Sequence, residues 1–131
     1  MKVAAVTITY NRLELTKQTV ESFYFKTGVD YHLFVDNGST DGTREWFTEN
    51  YDTIQLEENK GIAYAFREAV RELKDYDFIL KLDNDVETVT DQLVEKMLRF
   101  YELNGINYVA SPVDLNLDPH FAPATLGTRS W

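Results

Sequence analysis

Two carboxylates, Asp83 and Asp85, stand two residues apart in the stretch Lys81-Leu82-Asp83-Asn84-Asp85-Val86-Glu87. On extended backbone, residues i and i+2 point to the same side, so the pair can converge on one point. Two converging carboxylates repel, and a hard divalent cation that also holds substrate phosphates relieves the repulsion. The apolar run Tyr76 to Leu80 precedes them and reads as a buried strand. Ligands of open α/β sheets sit just past the carboxyl ends of such strands. By itself an Asp-x-Asp is equally a polar strand-to-helix loop, so its reading depends on the elements around it.

Those elements alternate. Lys2 to Thr9 is short, β-branched and almost wholly apolar, as suits a parallel strand covered on both faces. Asn11 is placed to cap a helix over residues 12–26, with Glu14 three positions on as in a capping box. Leu13, Thr16, Val20 and Phe23 follow at helical spacing and Gly28 ends the segment. Tyr31 to Val35 is a second strand, and Asp36-Asn37-Gly38-Ser39-Thr40-Asp41-Gly42-Thr43 is a dense turn signal. A helix capped by Ser39, Thr40 or Asp41 comes next, its inner face marked by Trp46, Phe47, Asn50 and Tyr51. Thr53 to Leu56 reads as a third strand and residues 57–61 as a loop. Ile62, Phe66, Ala69, Val70 and Leu73 form one helical stripe. Asp75 to Leu82 delivers the Asp pair as the fourth strand. Thr88 or Thr90 then caps a helix faced by Leu93, Val94, Met97, Leu98 and Tyr101 and ended by Gly105. Asn107 to Ala110 is read as a fifth strand, and residues 111–131, with three prolines and no period, as an irregular tail. The order predicts a three-layer α/β/α domain with a mostly parallel sheet of about five strands and helices on both faces.

Composition narrows the function. A chain of 131 residues suits one domain with a real core. It has no cysteine, which removes disulfides, zinc-thiolate sites and thiol nucleophiles. The formal charge of −9 argues against a nucleic-acid partner, which needs a basic footprint. An anionic substrate would therefore need local help from a metal or a placed cation. No apolar run approaches the ~20 residues of a membrane span. The expected location is cytoplasmic, with a position peripheral to the membrane as the variant reading.

The predicted strand ends gather Thr9-Tyr10-Asn11-Arg12, Asp36-Asn37-Gly38-Ser39, Asn59-Lys60-Gly61 and Asp83-Asn84-Asp85 at one edge. In order and spacing, Thr-Tyr-Asn-Arg, Val-Asp-Asn-Gly-Ser-Thr-Asp-Gly-Thr, Asn-Lys-Gly-Ile-Ala and Leu-Asp-Asn-Asp resemble a family 2 glycosyltransferase of the GT-A fold, over about residues 2–110. The resemblance implies a Rossmann-like domain that binds a nucleotide-diphospho-sugar at this edge. A UDP-sugar is favoured, with dTDP- or GDP-sugars as alternatives. It implies that Thr9, Tyr10 and Arg12 lie around base and ribose, and that Asp36 accepts the N3–H of uracil or thymine. Asn59 and Gly61 would border the nucleotide and Asp83 would meet the ribose or sugar. Asp85, with Asp83, would ligate Mn²⁺ or Mg²⁺ as a DXD motif. The implied reaction, inverting and metal-dependent, moves the sugar to a hydroxyl of a carbohydrate or lipid-linked acceptor in glycan biosynthesis.

Some features depart from the family. Many relatives carry an Arg facing the diphosphate where Phe66 stands, and Arg67 would point about 100° away on a helix. Lys60 or Arg12 is the candidate to compensate. Family domains normally continue past this length, and the later part supplies the acceptor site and the base, to which no residue here is assigned. Asp114, Asp118 and His120 in the tail read as solvated loop residues. A non-catalytic nucleotide-sugar-binding or assembly module is thus the alternative function. A homodimer through the edge near residues 107–110 is a further expectation. A dinucleotide oxidoreductase would need a Gly-rich turn after the first strand, which is absent. An aspartyl phosphotransferase would carry its Asp-x-Asp after the first strand. A calcium loop from Asp83 would need Gly at the sixth position, where Thr88 stands.

Overall fold

The computed structural model of the chain describes residues 1–105 and the backbone of two short strands, Val113–Asp114 and Thr128–Ser130. The described residues fall into two compact units, residues 1–17 with 29–84, and residues 18–28 with 85 onward.

The first unit is built on four parallel strands in the order β3-β2-β1-β4: β1 is Val3–Thr9, β2 Tyr31–Asp36, β3 Thr53–Gln55 and β4 Phe78–Lys81. Strand β1 is central because its chain can be covered on both faces: Val3 to Thr7 are all buried. Register sets the two faces. Ala4, Val6, Leu33 and Val35 face helix α3 (Ile62–Glu72), which closes on them through Ala65, Ala69 and Leu73. On the opposite face Phe34 meets Phe47 of α2 (Thr43–Asn50) at 4.5 Å and Tyr51 at 4.7 Å between ring centroids. Helices therefore lie on both faces of a parallel sheet, as the alternating pattern predicts.

Several local readings change. The buried stripe of α3 is Ala65, Ala69 and Leu73, whereas Ile62 is 60 % exposed. Small residues win because they let the helix approach the strands closely. Strand β4 is shorter than expected, half-buried, and pairs with β1 alone, so the sheet ends there among the described residues. On α2, Phe47 is buried while Asn50 is exposed. Asn11 does not cap helix α1 (Leu13–Lys26). Both Asn11 and Arg12 adopt positive φ, at 55° and 63°, and Asn11 Oδ1 accepts from Thr40 N instead. The Leu13 N–H is instead received by Asp41 Oδ2 at 3.3 Å, from the loop after β2. Helix α2 starts at left-handed Gly42, and none of Ser39, Thr40 and Asp41 is its N-cap residue.

The second unit contains the later part of α1, strand β5 (Val86–Thr88), helix α4 (Leu93–Asn104) and strands β6 (Val113–Asp114) and β7 (Thr128–Ser130). Its three-stranded sheet has the order β5-β7-β6, with β5 antiparallel and β6 parallel to β7. Strand β5 was not expected, and β6 and β7 place regular pairing inside the segment read as an irregular tail. Hydroxyls on α1 and just after it hold this unit: Thr19, Ser22 and Thr27 accept the N–H groups of Val86, Thr88 and Val94. Helix α4 begins after left-handed Gln92, not after a Thr88 or Thr90 cap, and ends at left-handed Gly105 as expected. The expected strand over residues 107–110, and with it the dimer edge, lies outside the described residues. Among the described residues no helix is long and apolar enough to cross a membrane.

Candidate functional site

Strand order 3-2-1-4 reverses direction at β1, so β1 and β4 flank the point where chain connections leave to opposite sides. The carboxyl ends beside such a switch point are where α/β sheets open a crevice. Thr9 ends β1, Asp36 ends β2, and Asp83 follows β4 by two residues. In the first unit the register places Thr9 directly opposite Asp36.

Asp36 is 0 % exposed. Its Oδ2 accepts from Gly38 N at 3.2 Å, Ser39 N at 3.0 Å and Arg44 Nε at 2.9 Å. Its Oδ1 accepts from Thr9 Oγ1 at 3.2 Å. A buried carboxylate is expensive unless paired and hydrogen-bonded, and here it is both. Arg44 was not among the residues singled out by sequence. Its position in the first turn of α2, eight residues after Asp36, gave no periodic signal. Its Nη2 also donates to the Leu56 carbonyl, so one guanidinium joins β2, α2 and the end of β3.

The next loop is stitched on by amides. Asn37 Nδ2 donates to Asn59 Oδ1 at 3.1 Å, Asn37 Oδ1 accepts from Lys60 N at 2.9 Å, and Gly61 N donates to Asn59 Oδ1 at 2.9 Å. The two loops meet so closely that a Cβ on Gly38 would stand 2.8 Å from the Glu58 carbonyl carbon. Gly61 also has positive φ, yet a Cβ there would meet nothing within 4 Å, so this glycine faces open space. On the other side, Asn11 N donates to Ser39 Oγ at 2.8 Å and Asn11 Oδ1 accepts from Thr40 N at 2.8 Å. Asp41 is lowered overall. Burial pushes it up, but hydrogen bonds from the Thr43 hydroxyl and from the Thr43 and Leu13 amides outweigh that. Hydrogen bonds therefore join three of the four strand-end loops into one framework. It brings Thr9, Asp36, Asn59 and Gly61 together, with Tyr10 and Arg12 exposed at its rim.

The loop after β4 is different. Asp83 is exposed, with 56 % of its side chain accessible, and its Oδ1 takes the Lys81 ammonium. Asn84 Nδ2 donates to Thr16 Oγ1 at 3.2 Å. Asp85 is half-buried and belongs to the second unit. Among the described residues no three His, Cys, Asp or Glu side chains form a metal cluster. A cation shared with substrate phosphates needs only one or two carboxylates. Asp83 has the required chemistry: a hard oxygen donor, solvent-accessible and already holding a positive group. Phe66 packs against the core, and Arg67 lies over the Tyr64 ring at 4.8 Å and pairs with Glu68 at 3.4 Å. Lys60 lies over the same ring at 5.1 Å.

Comparison with known proteins gives the same frame. The family model described as glycosyl transferase family 2 matches residues 4–122. Over 83 residues the chain is 37 % identical to glycosyltransferase AglJ of Haloferax volcanii, covering 63 % of this chain and 27 % of that protein. The Staphylococcus aureus TarS 1–349 structure in complex with UDP aligns at TM-score 0.62 and 21 % identity, covering 86 % of this chain and 38 % of TarS 1–349. A mannosyltransferase from Pyrobaculum calidifontis, in complex with GDP-Man and Mn²⁺, aligns at TM-score 0.67 and 19 % identity, covering 92 % and 36 %. The chain thus spans about a quarter to two fifths of these proteins, and the two structures share its fold.

Proposed function

The chain belongs to glycosyl transferase family 2, and from that premise we propose that it forms the donor-binding part of a glycosyltransferase using a nucleotide-diphospho-sugar. The observation that carries the reading is the internally hydrogen-bonded framework of Thr9, Asp36, Asn37 and Asn59 at the carboxyl edge of the parallel sheet. Such preorganisation suits recognition of a planar base and its ribose. In this reading Tyr10 offers an exposed ring to the base, and Asp36 Oδ1 accepts the N3–H of uracil or thymine. Gly61 leaves room beside the nucleotide, and Arg12 or Lys60 meets its phosphates.

Asp83 and Asp85 would hold Mn²⁺ or Mg²⁺. When bound, the metal would neutralise the charge that builds on the leaving diphosphate. With a net charge of −9 on the chain, the metal would offset the repulsion that the diphosphate meets. In the inverting reaction an acceptor hydroxyl oxygen bonds to the anomeric carbon as the bond to the diphosphate breaks, and a base takes the hydroxyl proton. The acceptor would be a carbohydrate or a lipid-linked molecule. A UDP-sugar is favoured, with dTDP- and GDP-sugars as the other donors.

Calorimetric titration with UDP, dTDP and GDP, each with and without Mn²⁺, tests the reading. Metal-dependent binding of one nucleotide is expected, and Asp85→Ala should remove the metal dependence while leaving the circular dichroism spectrum unchanged. A folded sample that binds none of the three contradicts the proposal. Metal-dependent binding undiminished in Asp85→Ala contradicts the metal assignment alone.

A further inference from the structure

We infer that Arg44 is a positioning residue for nucleobase selection: it clamps the Asp36 carboxylate so that one defined oxygen, Oδ1, keeps the capacity to accept from an incoming N–H donor. The inference rests on the donor-site reading above and goes beyond it, because it assigns the selectivity to a residue that touches no ligand.

The two Asp36 oxygens are held unequally. Oδ2 has three donors, from Gly38 N, Ser39 N and Arg44 Nε. An ionised carboxylate has about four lone-pair sites over its two oxygens, so Oδ2 has no capacity left. Oδ1 has one donor, Thr9 Oγ1 at 3.2 Å. That hydroxyl carries a single proton and lies 3.5 Å from a second acceptor, the Val35 carbonyl. It can turn to Val35 when another donor takes Oδ1, so Thr9 satisfies Asp36 in the empty site and yields in the filled one.

Arg44 makes the arrangement directional. Its guanidinium is fixed at two points, by Nε on Asp36 and Nη2 on the Leu56 carbonyl, and it is planar. This holds the plane of the carboxylate as well as supplying its countercharge. A lysine keeps the charge but loses the fork, leaving the carboxylate free to rock about its last torsion. Uracil presents an N–H at ring position 3 and cytosine presents an acceptor at the same place. A fixed Oδ1 therefore favours the first and repels the second, whereas a loosened carboxylate discriminates less.

The test measures UDP and CDP affinity, with Mn²⁺ present, for the full chain and for Arg44→Lys, Arg44→Gln and Asp36→Ala. The parent should prefer UDP by at least about tenfold, the range of one hydrogen bond to a charged group. Asp36→Ala should abolish that preference, and Arg44→Lys should cut it several-fold while remaining folded. If Arg44→Lys weakens UDP and CDP equally, or leaves their ratio intact while Asp36→Ala removes it, Arg44 is only a structural brace and the inference is overturned. If the parent shows no preference, or Asp36→Ala does not change it, the reading of Asp36 itself fails and the inference falls with it. Should neither Arg44 variant fold, the Arg44 Nε–H resonance of the parent decides. A shift on adding UDP supports the clamp, and no response overturns it.

Discussion

Asp36 ends β2 and Asp83 follows β4, the strands on either side of β1 in the same sheet, and their surroundings are opposite. Asp36 is fully buried, held by four donors and paired with an arginine that is itself anchored. Asp83 is exposed and holds one lysine. The first carboxylate cannot release its Oδ2 partners without disturbing the loop after β2 and Arg44, so it can define a position. The second can exchange a flexible ammonium for another cation at little cost. In the proposed function, the two ends of one sheet edge would separate shape recognition from charge neutralisation.

The largest expected effect contrasts the two ion pairs. Arg44→Met leaves a buried carboxylate without its countercharge and should cost about 3–5 kcal/mol. Lys81→Met breaks an exposed pair and should cost under about 1 kcal/mol. Urea unfolding of both variants checks this, and similar losses would erase the distinction. Next comes Gly38→Ala. Its Cβ would overlap the Glu58 backbone at a φ of 91°, so strain and overlap together should cost about 2–4 kcal/mol. The midpoint of thermal unfolding should fall accordingly.

A third expectation concerns acid. Burial pushes His32 on β2 down to about 3, and its Nε2 lies 2.9 Å from Thr7 Oγ1. The unfolded chain takes up this proton near pH 6.5 and the folded chain does not. Between pH 6.5 and 3 the unfolded state therefore binds more protons, and stability falls as pH falls through that window. The loss amounts to about 2 kcal/mol between pH 6.5 and 5. His32→Gln should flatten the urea midpoint over that range relative to the parent, and an unchanged slope would remove His32 from the acid response. The smallest effect is Asp83→Asn, expected to change stability by less than about 0.5 kcal/mol while removing Mn²⁺-dependent nucleotide binding.

How much of this was legible in the sequence follows from the range of the interactions. Strands β1 and β2 declared themselves because their burial on both faces is written in contiguous apolar residues. The left-handed end of α4 at Gly105 did so because a glycine marks it locally. The caps were not legible, since the partners come from far along the chain: Asp41 serves Leu13, and Asn11 serves Thr40. Strand β5 is three residues long and owes its existence to pairing with residues 128–130. Ala69 and Leu73 of the expected α3 stripe are buried, but Ile62 and Val70 are exposed and Ala65 was missed, because periodicity weighs hydrophobicity and not size. At the site, the motif residues were visible by type. The Arg44 clamp was not, because an arginine in the first turn of a helix has the sequence signature of a solvated one.

The most direct measurement of the division between the two carboxylates is the Mn²⁺ dependence of uridine and UDP binding, by calorimetry, in the parent, Asp83→Asn and Asp36→Asn. Manganese should strengthen UDP binding by the parent and leave uridine unaffected. Asp83→Asn should lose that gain and keep uridine, and Asp36→Asn should lose uridine. A manganese effect on uridine equal to that on UDP, or an undiminished gain in Asp83→Asn, would contradict the account.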